Sequence, residues 1–280
     1  MRVLVTGGSG YLGTHVRRFF SADDFSRRAG FNILDENDAK KVADYDVVIH
    51  LAALLDKDPR AAAESFRTNA DGTANLLRNM ASGSCFIYAS TKDVYGSHVN
   101  NYTEVPETCP TDFCGQSALE WSKLLGEKYV EYYAADRRLR ACIFRMSAVY
   151  ARPTPGNENG FVTHYVESVK HRWPIHLPAG ADPVRDILFV DDLSRACQSF
   201  IDSARYFGLY NLGGGRENVA SLREIIRKVG EMIEVSPVME DDPSIAAPVS
   251  LKYVSDLTRI RQEIGWEPRI GMEEGIRNLL

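Results

Sequence analysis

Residues 1–13 read MRVLVTGGSGYLG, and this stretch decides the fold. The apolar residues 3–5 predict a short buried strand, and Gly7, Gly10 and Gly13 follow it directly. The first glycine permits a tight turn, the second lets the backbone approach a pyrophosphate, and the third lets the next helix pack closely. The helix then presents N–H groups and a positive dipole end to phosphate. An ordinary glycine-rich turn lacks this strand and helix, so the stretch predicts a dinucleotide-binding loop.

The composition is typical of a globular protein and not of a nucleic-acid or membrane protein. Hydrophobic residues are 44% and charged residues 25% of the 280 residues, which allows a large domain with a smaller lobe. A net charge of −5 provides no basic surface for nucleic acid. The five cysteines lack metal-type spacing, so we expect reduced thiols and no metal site. No apolar run could span a membrane and the first strand leaves no room for a signal peptide, so we expect a cytoplasmic protein.

Predicted helices and strands alternate beyond the glycine loop. The segment DVVIHLAAL is continuously apolar, as strands are when helices cover both faces of a parallel sheet. The sequence therefore predicts an α/β fold with a Rossmann-type doubly wound parallel sheet. The predicted helices are 11–22, 38–45, 61–80 and 117–137, and the predicted strands are 24–26, one that ends within 32–35, 46–54, 85–90 and 140–150.

The character of the sequence changes at Ala151, where the Pro, Gly and Asn-rich loop ARPTPGNENG begins. We predict a dinucleotide-binding domain over residues 1–150, whose sheet is completed by about 184–212. A smaller C-terminal α+β substrate lobe is predicted over 151–183 and 213–280.

Several motifs follow one another along the chain. They are TGGSGYLG at 6–13, HLAA at 50–53, NADGTANLL at 69–77, STKDVYG at 90–96, SKLLGEKY at 122–129, VRDILFVDD at 184–192 and IGWEP at 264–268. With these motifs the chain resembles the NAD-dependent epimerase/dehydratase family of extended short-chain dehydrogenases/reductases. The resemblance implies a Rossmann domain with a substrate lobe, a sugar-like substrate that is usually nucleotide-linked, and a homodimer formed by two helices from each subunit.

The resemblance also implies contacts with a NAD(P) cofactor along these motifs. They are Gly7, Gly10, Tyr11, Leu12, Gly13, Asn32, Leu51, Ala52, Ala53, Asn69, Lys123 and Met146.

The choice between NAD and NADP depends on the end of the second strand. A carboxylate there binds the ribose diol of NAD, whereas arginine faces the extra phosphate of NADP. The segment SADDFSRR resembles the acidic segment of the family, with Asp23 or Asp24 as the ribose acceptor. However, Asp23 follows Gly13 so closely that a helix of about 1.5 Å per residue uses the whole interval. That spacing brings Arg27 and Arg28 to the cofactor and favours NADP, the alternative being an arginine pair solvated at the surface.

The catalytic motif of the fold is incomplete in this chain. Family members carry a Ser or Thr hydroxyl, and a tyrosine four residues before a lysine, which stacks these two on one helix face. The lysine lowers the pKa of the phenol, which then moves a proton near neutral pH. Thr91 matches the hydroxyl and Lys123 the lysine, but Leu119 stands at the tyrosine position. Moving the motif to Cys114 places Ala118 at the lysine, so neither alignment restores the pair.

Two residues beside Thr91 are candidates for the missing proton carrier. Lys92 and Asp93 stand where the family's dehydratases place an acid/base pair. A carboxylate can abstract a sugar proton and an adjacent ammonium can return it in a dry site that shifts both pKa values. Alternatively, Lys92 points to solvent and Asp93 caps the next turn. Cys114 is a weaker candidate, because a lone cysteine is more often a small buried hydrophobe.

The substrate side departs from the family pattern. The resemblance assigns substrate contacts to Thr91, Ser147 and Arg185. The family's asparagine position is Ala148, and its late Arg and Asp fall near Ala246 and Val249. Losing charge-assisted bonds weakens diphosphate binding, so either other residues replace them or the substrate is not a nucleotide sugar. The candidate replacements are Arg152, His164 and Lys252.

Two functions remain open from the sequence. The first is an NAD(P)-dependent enzyme that transfers hydride reversibly to and from a sugar-like substrate, with Thr91 polarising the oxygen and Lys123 on the nicotinamide ribose. The second is a cofactor-binding sensor or scaffold that has lost the chemistry, which Leu119 favours.

Overall fold

The computed structural model describes residues 1–157, 160–245 and 248–280. The strands in this part of the chain are β1 Val3–Thr6, β2 Asp23–Phe25, β3 Val47–His50, β4 Cys85–Thr91, β5 Arg140–Met146, β6 Ala148–Tyr150, β7 Ile175–Pro178, β8 Val184–Phe189, β9 Phe207–Leu212, β10 Val219–Ser221, β11 Met239–Asp242 and β12 Lys252–Tyr253. The α-helices are α1 Gly13–Phe20, α2 Glu36–Ala39, α3 Ala62–Ser65, α4 Gly72–Asn79, α5 Ala118–Asp136, α6 Phe161–Lys170, α7 Val190–Asp202, α8 Leu222–Ile233, α9 Thr258–Ile264 and α10 Met272–Arg277.

Six parallel strands form the central sheet, in the order β2, β1, β3, β4, β5 and β9. The order reverses at β1, because β2 pairs on one side of it and β3 on the other. Ligands of open α/β sheets bind outside the carboxyl ends of the strands at such a reversal. The topology therefore directs attention to the loops that follow β1 and β3.

The central sheet is buried on both faces. Val3 and Val5 of β1 belong to one hydrophobic cluster, and Leu4 between them belongs to another. Side chains alternate between the faces of a strand, so this division means that helices cover both sides. The predicted α/β fold with a doubly wound parallel sheet is confirmed.

A second sheet forms the framework of the smaller lobe. Strand β8 pairs in parallel with β6 and β12 and antiparallel with β10. Strands β7 and β11, which also come from the C-terminal half of the chain, form a separate two-stranded parallel sheet. The division of the chain into the two predicted units stays a prediction.

Three details of the predicted elements were wrong. The segment 32–35 is a turn, in which the Asp35 carboxylate accepts a hydrogen bond from the Asn37 N–H at 2.8 Å and starts α2. The predicted strand 140–150 is broken at Ser147, where the chain leaves the central sheet and β6 joins the lobe sheet. Strand β8, expected to help complete the central sheet, also belongs to the lobe sheet, and only β9 completes the former. Edge and lobe pairing depends on distant partners that local patterns do not reveal.

Within residues 1–157, 160–245 and 248–280, no helix is long and apolar enough to cross a bilayer. The same ranges hold no group of three or more His, Cys, Asp or Glu side chains suited to a metal ion.

Candidate active site

The glycine loop after β1 has the close packing that its sequence predicts. Gly7 has a φ of 68°, and a Cβ atom there would lie 2.9 Å from the Ala52 nitrogen. A Cβ atom on Gly13 would lie 2.0 Å from the Gly7 carbonyl oxygen, so α1 packs directly on the loop. No side chain caps the N-terminus of α1. The Thr14 and His15 N–H groups donate to the Gly10 and Leu12 carbonyls, so the phosphates of a dinucleotide would meet the backbone of Tyr11, Leu12 and Gly13, which lines the cavity.

A cavity of about 780 Å³ lies over this loop, at the carboxyl ends of β1, β3 and β4. Most of the predicted cofactor and catalytic residues line it. They are Gly7, Gly10, Tyr11, Leu12, Gly13, Arg27, Arg28, Asn32, Leu51, Ala52, Ala53, Thr91, Asp93, Lys123, Met146 and Ser147.

Asp23 does not line this cavity, which corrects its assignment as a cofactor contact. It pairs with Leu4 at the start of β2, the end of the sheet away from the glycine loop. There its carboxylate accepts a hydrogen bond from the Tyr45 hydroxyl at 2.8 Å. Asp24 lies beneath the loop, where it accepts a hydrogen bond from the Ser9 hydroxyl and pairs with Arg17 at 3.6 Å. Neither carboxylate lines the cavity, because the register of β2 places Phe25, and not an acid, opposite the last residue of β1, Thr6.

The residues at the cofactor end of β2 carry no acid. The strand ends at Phe25, whose carbonyl accepts a hydrogen bond from the Gly7 N–H at 2.9 Å. Ser26 follows and donates its hydroxyl to Ser9 at 3.0 Å. Arg27 and Arg28 come next and both line the cavity. A ribose phosphate would therefore meet guanidinium groups and no carboxylate at this position.

Asn69 is buried outside the cavity, so it does not contact a cofactor directly. Its side-chain oxygen accepts a hydrogen bond from the Leu54 N–H at 2.8 Å, and its amide group donates to the Leu54 carbonyl and the Ser122 hydroxyl at 3.0 Å. It thereby ties the loop after β3 to α5. Asn69 is a positioning residue for the Leu51–Ala53 wall of the cavity.

Thr91 and Lys123 both line this cavity. The Thr91 hydroxyl accepts a hydrogen bond from the Asp93 N–H at 3.2 Å, and the Lys123 ammonium donates to the Ala89 carbonyl at 2.8 Å. Burial lowers the pKa of Lys123 to about 8, although Glu127 opposes this shift.

A buried ion pair fixes the elements that carry these two residues. Glu127 of α5 accepts a hydrogen bond from the Ser90 hydroxyl of β4 at 2.5 Å and pairs with the Arg145 guanidinium of β5 at 2.6 Å. Removing either partner would leave an unpaired buried charge, so the three elements are held in one register.

Leu119 occupies the wall where the family tyrosine is expected. It is 7% exposed, lines the cavity and lies one helical turn before Lys123. Cys114, the alternative position, lines neither this cavity nor the next one, and its sulfur contacts the Ser97 hydroxyl. No phenol or thiol thus reaches the floor of the cavity from these two positions.

A second cavity of about 540 Å³ adjoins the first and shares Lys57, Thr91, Asp93, Met146 and Ser147 with it. The buried Lys92 ammonium is hydrogen-bonded to the Asp93 carboxylate and lies 5.2 Å from the centre of the Tyr253 ring. The prediction that Lys92 points to solvent is wrong, since its side chain is buried.

Charge and burial shift the pKa values of this pair. Burial lowers the pKa of the Lys92 ammonium, and Asp93 opposes that shift. Loss of water raises the pKa of the Asp93 carboxyl, but the neighbouring cations, Lys92 foremost, lower it by more, so it stays well below its usual range. Asp93 is therefore ionised at neutral pH.

Lys57 and Glu120 also belong to this cluster, and the sequence motifs did not point to them. The Lys57 ammonium lies 2.8 Å from the Glu120 carboxylate and 3.4 Å from that of Asp93. Glu120 also accepts the Ser117 N–H at 2.7 Å in the capping box that starts α5. A Ser-x-x-Glu pattern at a helix start was the available signal for Glu120, whereas Lys57 lies in a loop with no motif.

The comparison with known proteins agrees with this geometry. The model of the NAD dependent epimerase/dehydratase family matches residues 3–213. The chain belongs to this family. It is an extended short-chain dehydrogenase/reductase and an enzyme of the NAD(P)-dependent epimerase/dehydratase type, as the motifs predicted.

One relative and two solved structures match this chain along nearly their whole length. CDP-paratose 2-epimerase of Salmonella typhi is 25% identical over 338 residues, which covers 100% of this chain and 98% of the relative. UDP-glucose 4-epimerase of Thermotoga maritima, solved with UDP-glucose, superposes with a TM-score of 0.85 at 25% identity and covers 100% of this chain and 97% of that one. RMD of Pseudomonas aeruginosa, solved with NADPH, has a TM-score of 0.83 at 21% identity, covering 100% and 96%.

On the substrate side of this family member, Ser147 and Arg185 reach the second cavity. The Ser147 hydroxyl donates to the buried Asp186 carboxylate at 2.6 Å. The Arg185 guanidinium donates to the carbonyls of Val184 at 2.7 Å and Ser250 at 2.8 Å. Arg185 is thus fixed by neutral acceptors, and its positive charge is available to a ligand.

The other candidate substrate contacts do not reach either cavity. Arg152 donates to the Asn278 carbonyl at 3.0 Å and lies over the Phe189 ring, while His164 and Lys252 are exposed elsewhere on the lobe. Val249 does line the second cavity. Ala246 lies outside the described residues.

Proposed function

We propose that this chain catalyses reversible hydride transfer at a hydroxyl-bearing carbon of a sugar or nucleotide sugar, with NADP favoured over NAD. The observation that carries the proposal is that Thr91 and Asp93 line both cavities, the large one together with Lys123 and the glycine loop, and the second together with Lys92, whose ammonium is hydrogen-bonded to Asp93. Bound nicotinamide dinucleotide supplies the hydride acceptor and donor.

The cofactor side of the proposal rests on the loop and on the end of β2. The glycine loop and the start of α1 would hold the pyrophosphate, since the backbone of Gly10, Tyr11, Leu12 and Gly13 lines the cavity and no side chain caps the helix. Arg27 and Arg28 would face the extra phosphate of NADP, because Ser26 and not an acid follows β2. The Lys123 ammonium would orient the nicotinamide ribose.

The substrate side divides binding from proton transfer. The Thr91 hydroxyl would donate to the reacting oxygen, and Arg185 would bind an anionic group of the substrate. The Lys92–Asp93 pair would take up the hydroxyl proton and return it in place of the missing phenol, with Lys92 as the proton carrier, because burial lowers the pKa of its ammonium, and Asp93 as its ionised partner. Lys57 would hold Asp93 in place through their contact at 3.4 Å.

The test follows NADPH absorbance, and the C–H positions of UDP-glucose by NMR in deuterated water, for the wild type and Asp93→Asn. We expect the variant to bind NADP with unchanged affinity and to lose turnover by about 10²-fold, the order that a positioned proton-transfer group contributes, because Lys92 loses its ionised partner. The matched control is Asp44→Asn, which changes an exposed carboxylate before β3. Unchanged turnover in Asp93→Asn would remove Asp93 from the mechanism.

A second candidate is favoured by Leu119. An aliphatic wall at the tyrosine position suits a protein that binds the dinucleotide as a sensor or scaffold without turning it over. A bound cofactor that stays in one redox state with every sugar substrate offered would support this alternative.

The cellular setting is proposed on chemical grounds. All five cysteines are free thiols and four of them are buried. Since such thiols persist in a reducing compartment, we propose that the protein works in the cytoplasm.

A further inference from the structure

A loop of the substrate lobe lies directly on the glycine loop. The Arg28 guanidinium donates to the Gly156 carbonyl at 2.9 Å, to the Asn157 side-chain oxygen at 3.3 Å and to the Ser9 carbonyl at 3.2 Å. The Asn157 amide group in turn donates to the same Ser9 carbonyl at 2.8 Å. We call these four residues, Ser9, Arg28, Gly156 and Asn157, the ribose clasp.

The clasp forms part of the cavity wall. Ser9, Arg28 and Asn157 all line the large cavity, beside the end of β2. Arg28 donates three hydrogen bonds within the clasp, and these use three of the five N–H donors that a guanidinium carries. The remaining donors can bind an anion without breaking the clasp.

Other contacts join the same lobe loop to α1 and the residues before it. The Tyr11 hydroxyl donates to the Ala151 carbonyl at 2.8 Å, and a His15 ring nitrogen lies 2.9 Å from the Arg152 carbonyl oxygen. The loop is therefore seated on the dinucleotide domain at several points, and Asn157 is held in a defined position.

We propose that Asn157 is a specificity-determining residue for a phosphate monoester on the adenosine ribose of the cofactor, and that it acts by orienting Arg28. Its amide is suited to this task because the oxygen accepts from Arg28 while the nitrogen donates to Ser9. A neutral side chain aligns the guanidinium without cancelling its charge. An aspartate would lose the bond to Ser9, pair with Arg28 and repel the phosphate.

This inference deepens the proposed function and rests on it in one respect, the binding of a dinucleotide at the glycine loop. It adds that a residue of the substrate lobe contributes to the choice between NADP and NAD. Cofactor selection would then depend on both parts of the chain and not on the end of β2 alone.

The first experiment measures calorimetric affinities of NADP⁺ and NAD⁺ for the wild type, Asn157→Asp and Asn157→Ala. We expect Asn157→Asp to weaken NADP⁺ binding about tenfold or more, because a charge-assisted contact is lost and a repulsion is gained. NAD⁺ binding should change by less than about twofold, and Asn157→Ala should have an intermediate effect on NADP⁺. The control Asn101→Asp adds the same charge at an exposed position outside both cavities.

A second measurement reads the lobe loop itself. The Asn157 N–H donates to the Thr154 carbonyl at 2.8 Å, so its hydrogen exchange reports the order of the loop. We expect NADP⁺ to slow this exchange more than NAD⁺ does in the wild type, and Arg28→Ala to abolish the difference.

The outcomes separate this inference from the proposed function. A wild type that binds neither dinucleotide would overturn both. Binding of NADP⁺ with equal losses of both cofactors in Asn157→Asp, or with no loss, would overturn the role of Asn157 and leave the proposed function intact. A wild type that prefers NAD⁺ would likewise overturn the clasp as a phosphate site.

Discussion

At the scale of single residues, Lys123 combines a free-energy cost, the burial of its charge, with a proposed role in the cavity. Its ammonium is almost fully buried and is satisfied chiefly by the Ala89 carbonyl at 2.8 Å. Burial of the charge lowers its pKa to about 8, against about 10.4 in an unfolded chain. The protein tolerates this because a cation is needed at the floor of the cavity.

We predict that Lys123→Met stabilises the protein at pH 7. Between the two pKa values the unfolded chain binds more protons than the folded one, so wild-type stability rises with pH there. The variant has no buried ammonium that must lose its proton. Its free energy of unfolding should therefore exceed that of the wild type by up to about 3 kcal/mol at pH 7, at 1.36 kcal/mol per pKa unit. The excess should vanish above about pH 10.5.

Urea unfolding of both proteins across this pH range measures the difference. Lys128→Met is the matched control, since Lys128 lies on the exposed face of the same helix and pairs with Glu131. A Lys123→Met protein that is less stable than the wild type at pH 7 would show that the ammonium contributes more by bonding than burial costs.

At the scale of secondary-structure elements, the contact between α1 and the glycine loop decides whether the cofactor site exists. A Cβ atom on Gly13 would lie 2.0 Å from the Gly7 carbonyl oxygen and 2.9 Å from the Gly8 Cα atom. Both neighbours are backbone, so neither can move aside without displacing the loop.

We predict that Gly13→Ala destabilises the protein by about 3 kcal/mol, because overpacking a rigid contact has this order of cost. Dinucleotide binding should be lost with it, measured by calorimetry on the folded fraction. Gly271→Ala provides the control, because a Cβ atom there meets no atom within 4 Å. Retained binding in Gly13→Ala would mean that α1 can shift away from the loop at little cost.

At the scale of the whole molecule, the face of α5 that points away from the sheet carries exposed apolar side chains. Leu125 is 37% and Tyr132 61% exposed, and Phe66, on the helical segment that packs against α5, is 38% exposed. Exposed apolar groups on neighbouring helices are typical of an interaction surface. They support the homodimer through two helices that the family resemblance implied, which stays a prediction.

We predict that the wild type sediments as a dimer of the 31.3 kDa chain and that Tyr132→Glu sediments as a monomer, since a charge would be buried in the interface. Trp173→Glu is the control, because it alters an exposed aromatic residue, 55% exposed, in the lobe. A monomeric wild type, or a Tyr132→Glu dimer of unchanged stability, would contradict this arrangement.

Local patterns in the sequence were sufficient to predict the glycine loop and the positions of Thr91, Lys123 and Leu119. The strand, the glycines and the helix at 1–20 fix one another through short-range geometry, so the loop and its ligand class were readable from residues 1–13. The same is true of Thr91 and Lys123, because motif spacing on β4 and α5 specifies where each side chain points. Leu119 was identified by the same spacing.

Residues that lie far apart in the sequence contact one another in the site because of packing between elements, which the tertiary structure shows. Lys57 and Glu120 are far apart in the chain, and their contact at 2.8 Å follows from how the β3 loop packs on α5. Asn157, in the loop between β6 and α6, donates to Ser9 in the glycine loop, and the sheet register places Asp23 at the far end of β2. Such contacts depend on packing between elements, which hydrophobic periodicity and motif spacing along one strand or helix do not encode.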